Sequence, residues 1–410
     1  MAGTLTAVGS LILSISLIQL ANGYIGTLIG IRLAAAHIEP VIAGIITSAY
    51  FAGYAAGAVL CNRLIDRTGH IRAFAAFAAL VTVTLLGYSL YFDAILWAVL
   101  RALMGFGCAG LFVATESWLN ARSSAATRGT VFATYMVATY ATFAGGQFVL
   151  NLAAPTGFSL FALAAILFSV AVMLVSITKA VPPVPVPSAR LKAGELAAAA
   201  PVAVAGCFAG GLITGAFYAL VPMFAQSTGR SMLEISSYMA LAITGGLAMQ
   251  VPIGKLSDAV DRRLVAALVA LAFAGLALAI IPARATPWFY VVWLLLGGFM
   301  SVIYPVCVAH ANDRMPAERA VSVSGRLILI SGVGSAVGPI LGASAMSAFG
   351  VHGLLYYMAA VAALFALFAL ARGLSVRPPR FKRVRPFQIL PPIFAQGLAH
   401  APEERRASSA

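Results

Sequence analysis

Long apolar runs, separated by short polar loops, dominate this chain. Twelve runs can be placed, each close to the roughly 20 residues that a helix needs to cross a bilayer. They lie near residues 6–30, 40–62, 72–92, 94–118, 130–152, 158–179, 198–222, 233–254, 264–283, 287–310, 321–347 and 351–371. Because backbone N–H and C=O groups in lipid must form their hydrogen bonds within the helix, this pattern predicts an all-α integral membrane protein.

The composition excludes a water-soluble domain. Hydrophobic residues make up 61% of the chain and charged residues only 9%, whereas soluble domains carry about 25% charged residues. The net charge of +14 does not indicate nucleic-acid binding, because 21 of the 26 Lys and Arg fall in cytoplasmic loops and the tail when the amino terminus is inside. This distribution predicts a multi-pass protein of the cell (inner) membrane with both termini in the cytoplasm.

The sequence also repeats itself. Adding 192 to a residue number carries Asp66 onto Asp258 and Gly105 onto Gly297. Each half therefore has six spans, with a short charged loop after the second, which is the plan of a transporter whose two bundles rock around a central site. We expect an amino-terminal bundle over 1–179, a proline-rich cytoplasmic linker over 180–197, a carboxy-terminal bundle over 198–372 and a basic, disordered cytoplasmic tail over 373–410.

Four motifs resemble signatures of the major facilitator superfamily. They are Asp66-Arg67-Thr68-Gly69 with Arg72; Gly254 with Asp258, Asp261, Arg262 and Arg263; Arg101 with Gly105 and Gly107; and Gly334 with Gly338, Pro339 and Gly342. Finer matches at Tyr50, Glu116, Gln147 and Tyr304 resemble the YcaD-like branch. The resemblance covers about residues 5–372 and implies twelve transmembrane helices in two pseudo-symmetric six-helix bundles. Asn62 and His70 depart from the pattern of the first loop.

The two charged loops are candidates for a cytoplasmic gate. A carboxylate such as that of Asp66, at a helix end, can face the positive amino-terminal end of a neighbouring helix. The resemblance implies that this neighbour is span 11, and that Asp258 meets span 5 symmetrically. Such contacts bias a two-state equilibrium, although the arginines could instead only fix topology. The predicted gate and coupling residues are Asp66, Arg67, Gly69, Arg72, Glu116, Gly254, Asp258, Arg262 and Arg263, with Gly69 needed for a tight turn.

Glu116 is the one acidic residue within a predicted span apart from Glu234, which is the second residue of the span over 233–254. An ionisable group at membrane depth is a functional hypothesis by default. Three interpretations stand beside each other. Glu116 pairs with Arg67 or Arg72 as a strut of the gate, takes up and releases a coupling proton, or caps a helix end at the headgroups.

Other polar residues within the spans are candidates for a central substrate cavity. They are Gln19, Asn22, Arg101, Gln147, Gln250, Tyr304 and Arg326; each could instead form a hydrogen bond between helices. The resemblance ties Arg101 to proton coupling or to substrate anions, and the alternative is a set of bonds to backbone carbonyls. Arg326 could draw an anion inward or extend to the membrane surface. A helix-packing role is predicted for Gly105, Gly107, Gly334, Gly338, Pro339 and Gly342.

The sequence contains none of the common catalytic motifs. There is no HExxH helix, GxSxG elbow or P-loop, so we expect no cofactor, no metal and no catalytic residue. We predict a monomeric secondary transporter that moves a small organic solute by alternating access, with proton-coupled export favoured. Proton-coupled uptake of a small metabolite or anion is the alternative, and a sensor or lipid flippase on the same fold is a further one.

Overall fold

A computed structural model describes residues 2–123, 128–177, 193–283, 286–316 and 319–375. The described residues are helical and contain no strand, as predicted. The predicted tail, apart from its first residues, and most of the predicted linker lie outside them.

The first half contributes six helices. They are α1 (Ala2–Ala35), α2 (Pro40–Thr68), α3 (His70–Leu90), α4 (Ala94–Arg122), α5 (Arg128–Gly146) and α6 (Ser159–Ile177). The second half contributes α7 (Ala193–Ala199), α8 (Pro201–Ser227), α9 (Met232–Ala259), α10 (Arg262–Ala283), α11 (Phe289–Arg314), α12 (Ala320–Phe349) and α13 (Gly353–Ser375). Predicted spans 1 to 6 therefore correspond to α1–α6, and spans 7 to 12 to α8–α13.

Eleven of the described helices are long and apolar enough to cross a membrane. The remaining predicted span is α5, which continues beyond Gly146 as a 3₁₀ helix, Gln147–Leu152. The short helix α7 lies within the stretch predicted as a linker. Its run of alanines favours a helix, and Leu196 anchors it because this side chain is fully buried.

Each half contains the same tightly packed pair of helices. In the first half a Cβ atom added to Gly53 of α2 would overlap the carbonyl oxygen of Ala102, and one added to Gly105 of α4 would overlap that of Tyr50. The same contacts recur 192 residues later, where Gly245 meets Leu294 and Gly297 meets Ala242. The repeat in the sequence is therefore a repeat of backbone contacts, α2 on α4 and α9 on α11.

Other motif glycines also lie at close helix contacts. Gly334 and Gly338 of α12 lie against the backbone of α8 at Phe208 and Leu212. Gly107 of α4 lies against α3, where an added Cβ atom would be 2.7 Å from the Val81 side chain. Gly342 likewise has Ala216 and Leu220 of α8 as neighbours at 3.2 and 3.1 Å from an added Cβ atom. Small residues thus allow the helices to approach within backbone contact.

The bundle has two ends, which we name by their loops. The motif end carries the α2–α3 and α9–α10 loops with Asp66 and Asp258, and the far end carries the α1–α2 and α8–α9 loops. At the far end the halves touch, because an added Cβ atom on Gly44 would be 2.7 Å from the Pro339 carbonyl oxygen and 2.8 Å from Ala343.

Further contacts between the halves follow at the far end. Gly30 of α1 lies against Pro222 of α8, 3.1 Å from an added Cβ atom. Asn151 Nδ2 donates to Ser236 Oγ at 3.1 Å. The far end is therefore closed by direct packing of the two halves.

Candidate functional site

The first charged loop lies open to solvent. Gly69 takes φ 81°, a conformation that favours glycine, and allows α3 to begin directly after α2. Asp66, Arg67 and Arg72 are exposed, and no ion pair involves them within the described residues. The predicted contact of Asp66 with span 11, which is α12, stays a prediction.

The second charged loop is held by ion pairs within its own half. Arg262 is only 4% exposed, and its guanidinium lies 2.8 Å from Asp258 Oδ1 and 2.8 Å from Asp313 Oδ2. Two carboxylates on different helices thus share one buried cation, which ties the end of α9 to the end of α11 through the start of α10.

A second buried arginine strengthens the same loop. Arg263 donates to both oxygens of Asp261, with Nη2–Oδ2 at 2.8 Å, and its Nη1 donates to the Arg372 carbonyl at 3.3 Å. The bonds from Arg263 hold the pKa of the Asp261 carboxyl below its usual value. This loop is therefore fastened to α13 as well.

The repeat shows why the two loops differ. An offset of 192 aligns Arg262 with His70 and Asp313 with Ala121. In place of the buried ion pairs, His70 Nε2 lies 2.9 Å from Ser117 Oγ. The described residues of the first loop thus lack the internal ion pairs of the second, and the charges of Asp66, Arg67 and Arg72 are exposed.

We expect Arg262→Gln to destabilise the protein by about 2–3 kcal/mol. Breaking a fully buried ion pair costs about 3–5 kcal/mol. We expect a smaller loss here, because Asp258 and Asp313 are 34% and 20% exposed and water can solvate them once the arginine is removed. A lower melting temperature of the purified protein would show the effect. Arg319→Gln is the matched control, since its pair with Glu195 has both side chains 49% exposed and such surface pairs contribute about 0.2–1 kcal/mol. Equal losses for the two variants would contradict the prediction.

Glu116 is buried beside tyrosines on the motif side of the first half. It lies six residues before the end of α4 and is 4% exposed. Tyr135 of α5 donates its hydroxyl to Glu116 Oε1 at 3.4 Å, and Tyr54 of α2 is close enough to interact electrostatically. Arg67 and Arg72, its predicted partners in the strut, are exposed at the surface, and the strut stays a prediction.

Arg101 lies in the far-end half of α4. It is the eighth residue of that helix and is 5% exposed. The guanidinium carbon stands 4.6 Å from the centre of the Tyr50 ring, and Tyr88 of α3 is a further neighbour. Glu116 lies 15 residues along the same helix, or about 22 Å away. Arg101 and Glu116 are therefore separate sites.

Several predicted cavity residues form hydrogen bonds between helices. Gln147 donates to the Gly23 carbonyl and accepts from Thr27 Oγ1 at 2.9 Å, which joins the 3₁₀ segment to α1. Gln250 Nε2 donates to Tyr140 OH at 2.7 Å and so links α9 to α5 across the two halves.

The remaining candidates have varied surroundings. Asn22 Nδ2 donates to Gln19 Oε1 at 3.2 Å, and Cys108 Sγ donates to Asn22 Oδ1 at 3.6 Å. Tyr304 is buried in α11, whereas Arg326 is exposed on α12.

Sequence reasoning did not single out the tyrosines around the two charged groups as a set. Tyr54, Tyr88 and Tyr135 are buried next to Arg101 or Glu116. The spacing of Tyr50 and Tyr54, one helical turn apart, was an available signal that both face α4. Nothing in the sequence distinguishes Tyr88 or Tyr135 from other tyrosines in apolar runs.

Comparison with known structures supports the fold. The chain superimposes on the nucleoside transporter NupG with a TM-score of 0.72, at 14% identity and covering 92% of this chain and 100% of that one. A bacterial homologue of the human lysosomal transporter Spinster, described as inward-facing and unoccupied, also gives a TM-score of 0.72, at 16% identity and with 92% and 99% coverage.

Sequence relatives span nearly the whole chain. The uncharacterized MFS-type transporter YcaD of Salmonella heidelberg (strain SL476) is 28% identical over 378 residues, 90% of this chain and 96% of that protein. YcaD of Shigella flexneri serotype 5b (strain 8401) is 28% identical over 371 residues, 86% and 92% of the two chains. The family model described as Major Facilitator Superfamily matches residues 11–325 and 202–402. The protein, multi-pass and built for transmembrane transport, thus belongs to the Major Facilitator Superfamily and resembles its YcaD-type members.

Proposed function

We propose that the protein is a proton-coupled secondary transporter of a small organic solute, in which Glu116 carries the proton. It acts as a monomer in the inner membrane by alternating access, with the motif end in the cytoplasm. Export, the direction favoured by the sequence, stays a prediction.

The observation that carries the proposal is the environment of Glu116. A carboxyl group that is 4% exposed at membrane depth is costly to keep ionised. Its neighbours include hydroxyl groups, one of which, Tyr135, donates to it at 3.4 Å. Hydroxyl groups can serve both the protonated and the ionised carboxyl. A change in the exposure of Glu116 during rocking would shift its affinity for a proton, as coupling requires.

The conformation supports alternating access. The positive-inside rule places the motif end in the cytoplasm. The far end is closed by Gly44 on Pro339 and by Gly30 on Pro222, while Asp66, Arg67 and Arg72 are exposed at the motif end. With this orientation, the closed far end and the exposed motif end support an inward-facing state, the description that the Spinster homologue carries.

The opposite state would use the charges that are exposed here. When the motif ends of the two halves approach, the Asp66 carboxylate can meet the amino-terminal end of α12. Asp258 is engaged with Arg262 in its own half, so the second loop moves as a fastened unit. The equilibrium between the two states would then depend mainly on the contacts of the first charged loop.

Proton movement in proteoliposomes tests the proposal. A pH-sensitive dye would follow protons while a panel of drugs and metabolites is added to wild type, Glu116→Gln and Glu195→Gln. We expect one compound or more to move protons with wild type. The signal should fall at least about tenfold in Glu116→Gln, since a neutral amide cannot exchange a proton. Solute counterflow should persist in that variant.

Glu195→Gln is the matched control, because the Glu195 carboxylate is 49% exposed on α7. This variant should leave proton movement unchanged. Wild-type proton signals in Glu116→Gln would show that Glu116 is not the coupling site. If a compound undergoes counterflow in wild type without moving protons, coupling itself is wrong, and another ion or facilitated diffusion takes its place.

A further inference from the structure

The exposed side of α3 is an apolar stripe that ends in a cation. The members of the stripe recur every three or four residues and therefore lie on one face of the helix. They are Ala76, Ala79, Val83, Leu86 and Leu90, with Arg72 one turn before them at the motif end. Val83 is 64% exposed and Leu90 is 84% exposed. Exposed apolar side chains along the whole of a membrane helix indicate contact with lipid.

The exposed side of α2 ends in the same way. Val59 and Leu60 are 50% and 44% exposed, and Arg63 and Arg67 follow them on the same face towards the motif end. The 29 residues of α2 give a length of about 43 Å, whereas the hydrocarbon core of a bilayer is about 30 Å thick. Arg63, five residues before the end of α2, therefore lies at the level of the lipid headgroups.

The three arginines at the ends of these stripes have little acid to neutralise them. Asp66 is the only acidic residue between Arg63 and Arg72, and all three arginines are exposed. No ion pair involves any of them within the residues that the structure describes. A single residue, Gly69, separates α2 from α3. We name the three arginines, Arg63, Arg67 and Arg72, the basic cluster.

The second half has a matching apolar stripe without the basic cluster. Adding 192 carries the α3 stripe onto α10, where Leu268 and Leu271 are 51% and 40% exposed. The same offset puts Lys255, Ala259 and Leu264 at the positions of the three arginines, in chain order. Contact with lipid therefore does not by itself explain the basic cluster, because both halves have an exposed stripe and only the first half has three cations at its end.

We propose that the basic cluster binds the headgroup of an anionic phospholipid, whose acyl chains lie along the exposed stripes of α2 and α3. The charges are complementary, because arginine forms paired hydrogen bonds with phosphate oxygens. The apolar stripes supply the surface that the acyl chains need beside the headgroup. The site belongs to the first half alone. It goes beyond the transport function proposed above and does not depend on it, since neither Glu116 nor a transported solute takes part.

Binding to the purified wild-type protein in detergent gives the first test. Dioleoylphosphatidylglycerol and dioleoylphosphatidylcholine have the same acyl chains, and only the first carries a net negative charge. We expect the protein to bind phosphatidylglycerol at least about tenfold more tightly, measured by native mass spectrometry. Equal affinities would overturn the proposal. Glycerol phosphate carries the charged group without the chains and should not displace the lipid; displacement at equal concentration would assign the basic cluster to a soluble anion and overturn the lipid assignment.

Two variants locate the site. Each arginine near an anionic headgroup should contribute about fivefold to the affinity, so the combined variant Arg63→Gln, Arg67→Gln and Arg72→Gln should lose the preference for phosphatidylglycerol. Lys255→Gln is the matched control, because Lys255 is the exposed equivalent of Arg63 on α9. This control should keep the wild-type preference. Equal losses in the two variants would show that the phospholipid does not bind at the basic cluster.

Crosslinking of the wild-type chain tests the same site without any variant. Proteoliposomes would contain a trace of phosphatidylglycerol, or of phosphatidylcholine, with a photoreactive group in one acyl chain. We expect the phosphatidylglycerol probe to label peptides of α2 and α3 several times more than peptides of α9 and α10, as measured by mass spectrometry. The phosphatidylcholine probe should label the two pairs of helices to a similar extent. The same ratio for both probes would overturn the proposal.

Discussion

Replacing Gly53 with valine is expected to prevent the first half from folding. An added Cβ atom would overlap the carbonyl oxygen of Ala102, and a backbone atom cannot rotate away as a side chain can. Overpacking in cores costs about 1–3 kcal/mol, and we expect more here because α2 and α4 would have to separate. Gly245→Val should have the same effect through Leu294. Size-exclusion chromatography in detergent would show the loss of monodisperse protein.

Gly275→Val is the matched control for this prediction. Gly275 is exposed on α10, and no atom lies within 4 Å of an added Cβ atom. Its variant should give wild-type yield and a similar melting temperature, since glycine inside a helix has no propensity advantage over valine. Similar yields for Gly53→Val and Gly275→Val would show that the α2–α4 contact is not needed for folding.

The sequence predicted one member of each of these contacts and missed the other. Gly105 and its repeat Gly297 belong to a recognisable motif, whereas Gly53 and Gly245 are single glycines in apolar runs. Glycine is common in membrane helices, so neither position is conspicuous alone. The offset of 192 relates them as well, but only the structure shows that they touch α4 and α11.

The charged groups of the site were predictable and their partners were not. Arg101 and Glu116 stand out because charges within apolar runs are rare. Their nearest neighbours include tyrosines from three other helices, and no sequence pattern fixes which faces of different helices meet. For the same reason Gln147 was a candidate for the cavity, although it bonds α1 at Gly23 and Thr27.

The difference between the two charged loops was only partly predictable. His70 was recognised as a departure from the pattern of the first loop. That Arg262 is buried between two carboxylates, while His70 bonds Ser117, depends on Asp313 being present in one half and Ala121 in the other. These positions lie on the fourth membrane span of each half, α4 and α11, far from the loops in sequence. The difference between the two charged loops thus depends on tertiary contacts.

Replacing Gly44 with leucine is expected to hold the far end open. The Pro339 carbonyl oxygen and the Ala343 side chain would lie 2.7 and 2.8 Å from the added Cβ atom alone. Under the proposed alternating access, the two halves separate at the far end in the opposite state, so the overlap exists only while the far end is closed. An overlap costing about 1–3 kcal/mol would lower the ratio of closed to open molecules by about 5- to 150-fold. The folded state itself should survive, unlike that of Gly53→Val, since Gly44 meets the other half.

Spin labels at His37 and Ser231 would measure this shift. These positions lie in the far-end loops of different halves, and the four buried native cysteines would be replaced first. Electron–electron distance measurements should show a longer separation in Gly44→Leu than in wild type, together with a loss of solute counterflow. Gly145→Leu is the control, because Gly145 is exposed near the same end with no atom within 4 Å of an added Cβ atom. Wild-type distances in Gly44→Leu would mean that the α2–α12 contact is not part of the far-end closure. The proposed alternating access would then need other contacts to close the far end.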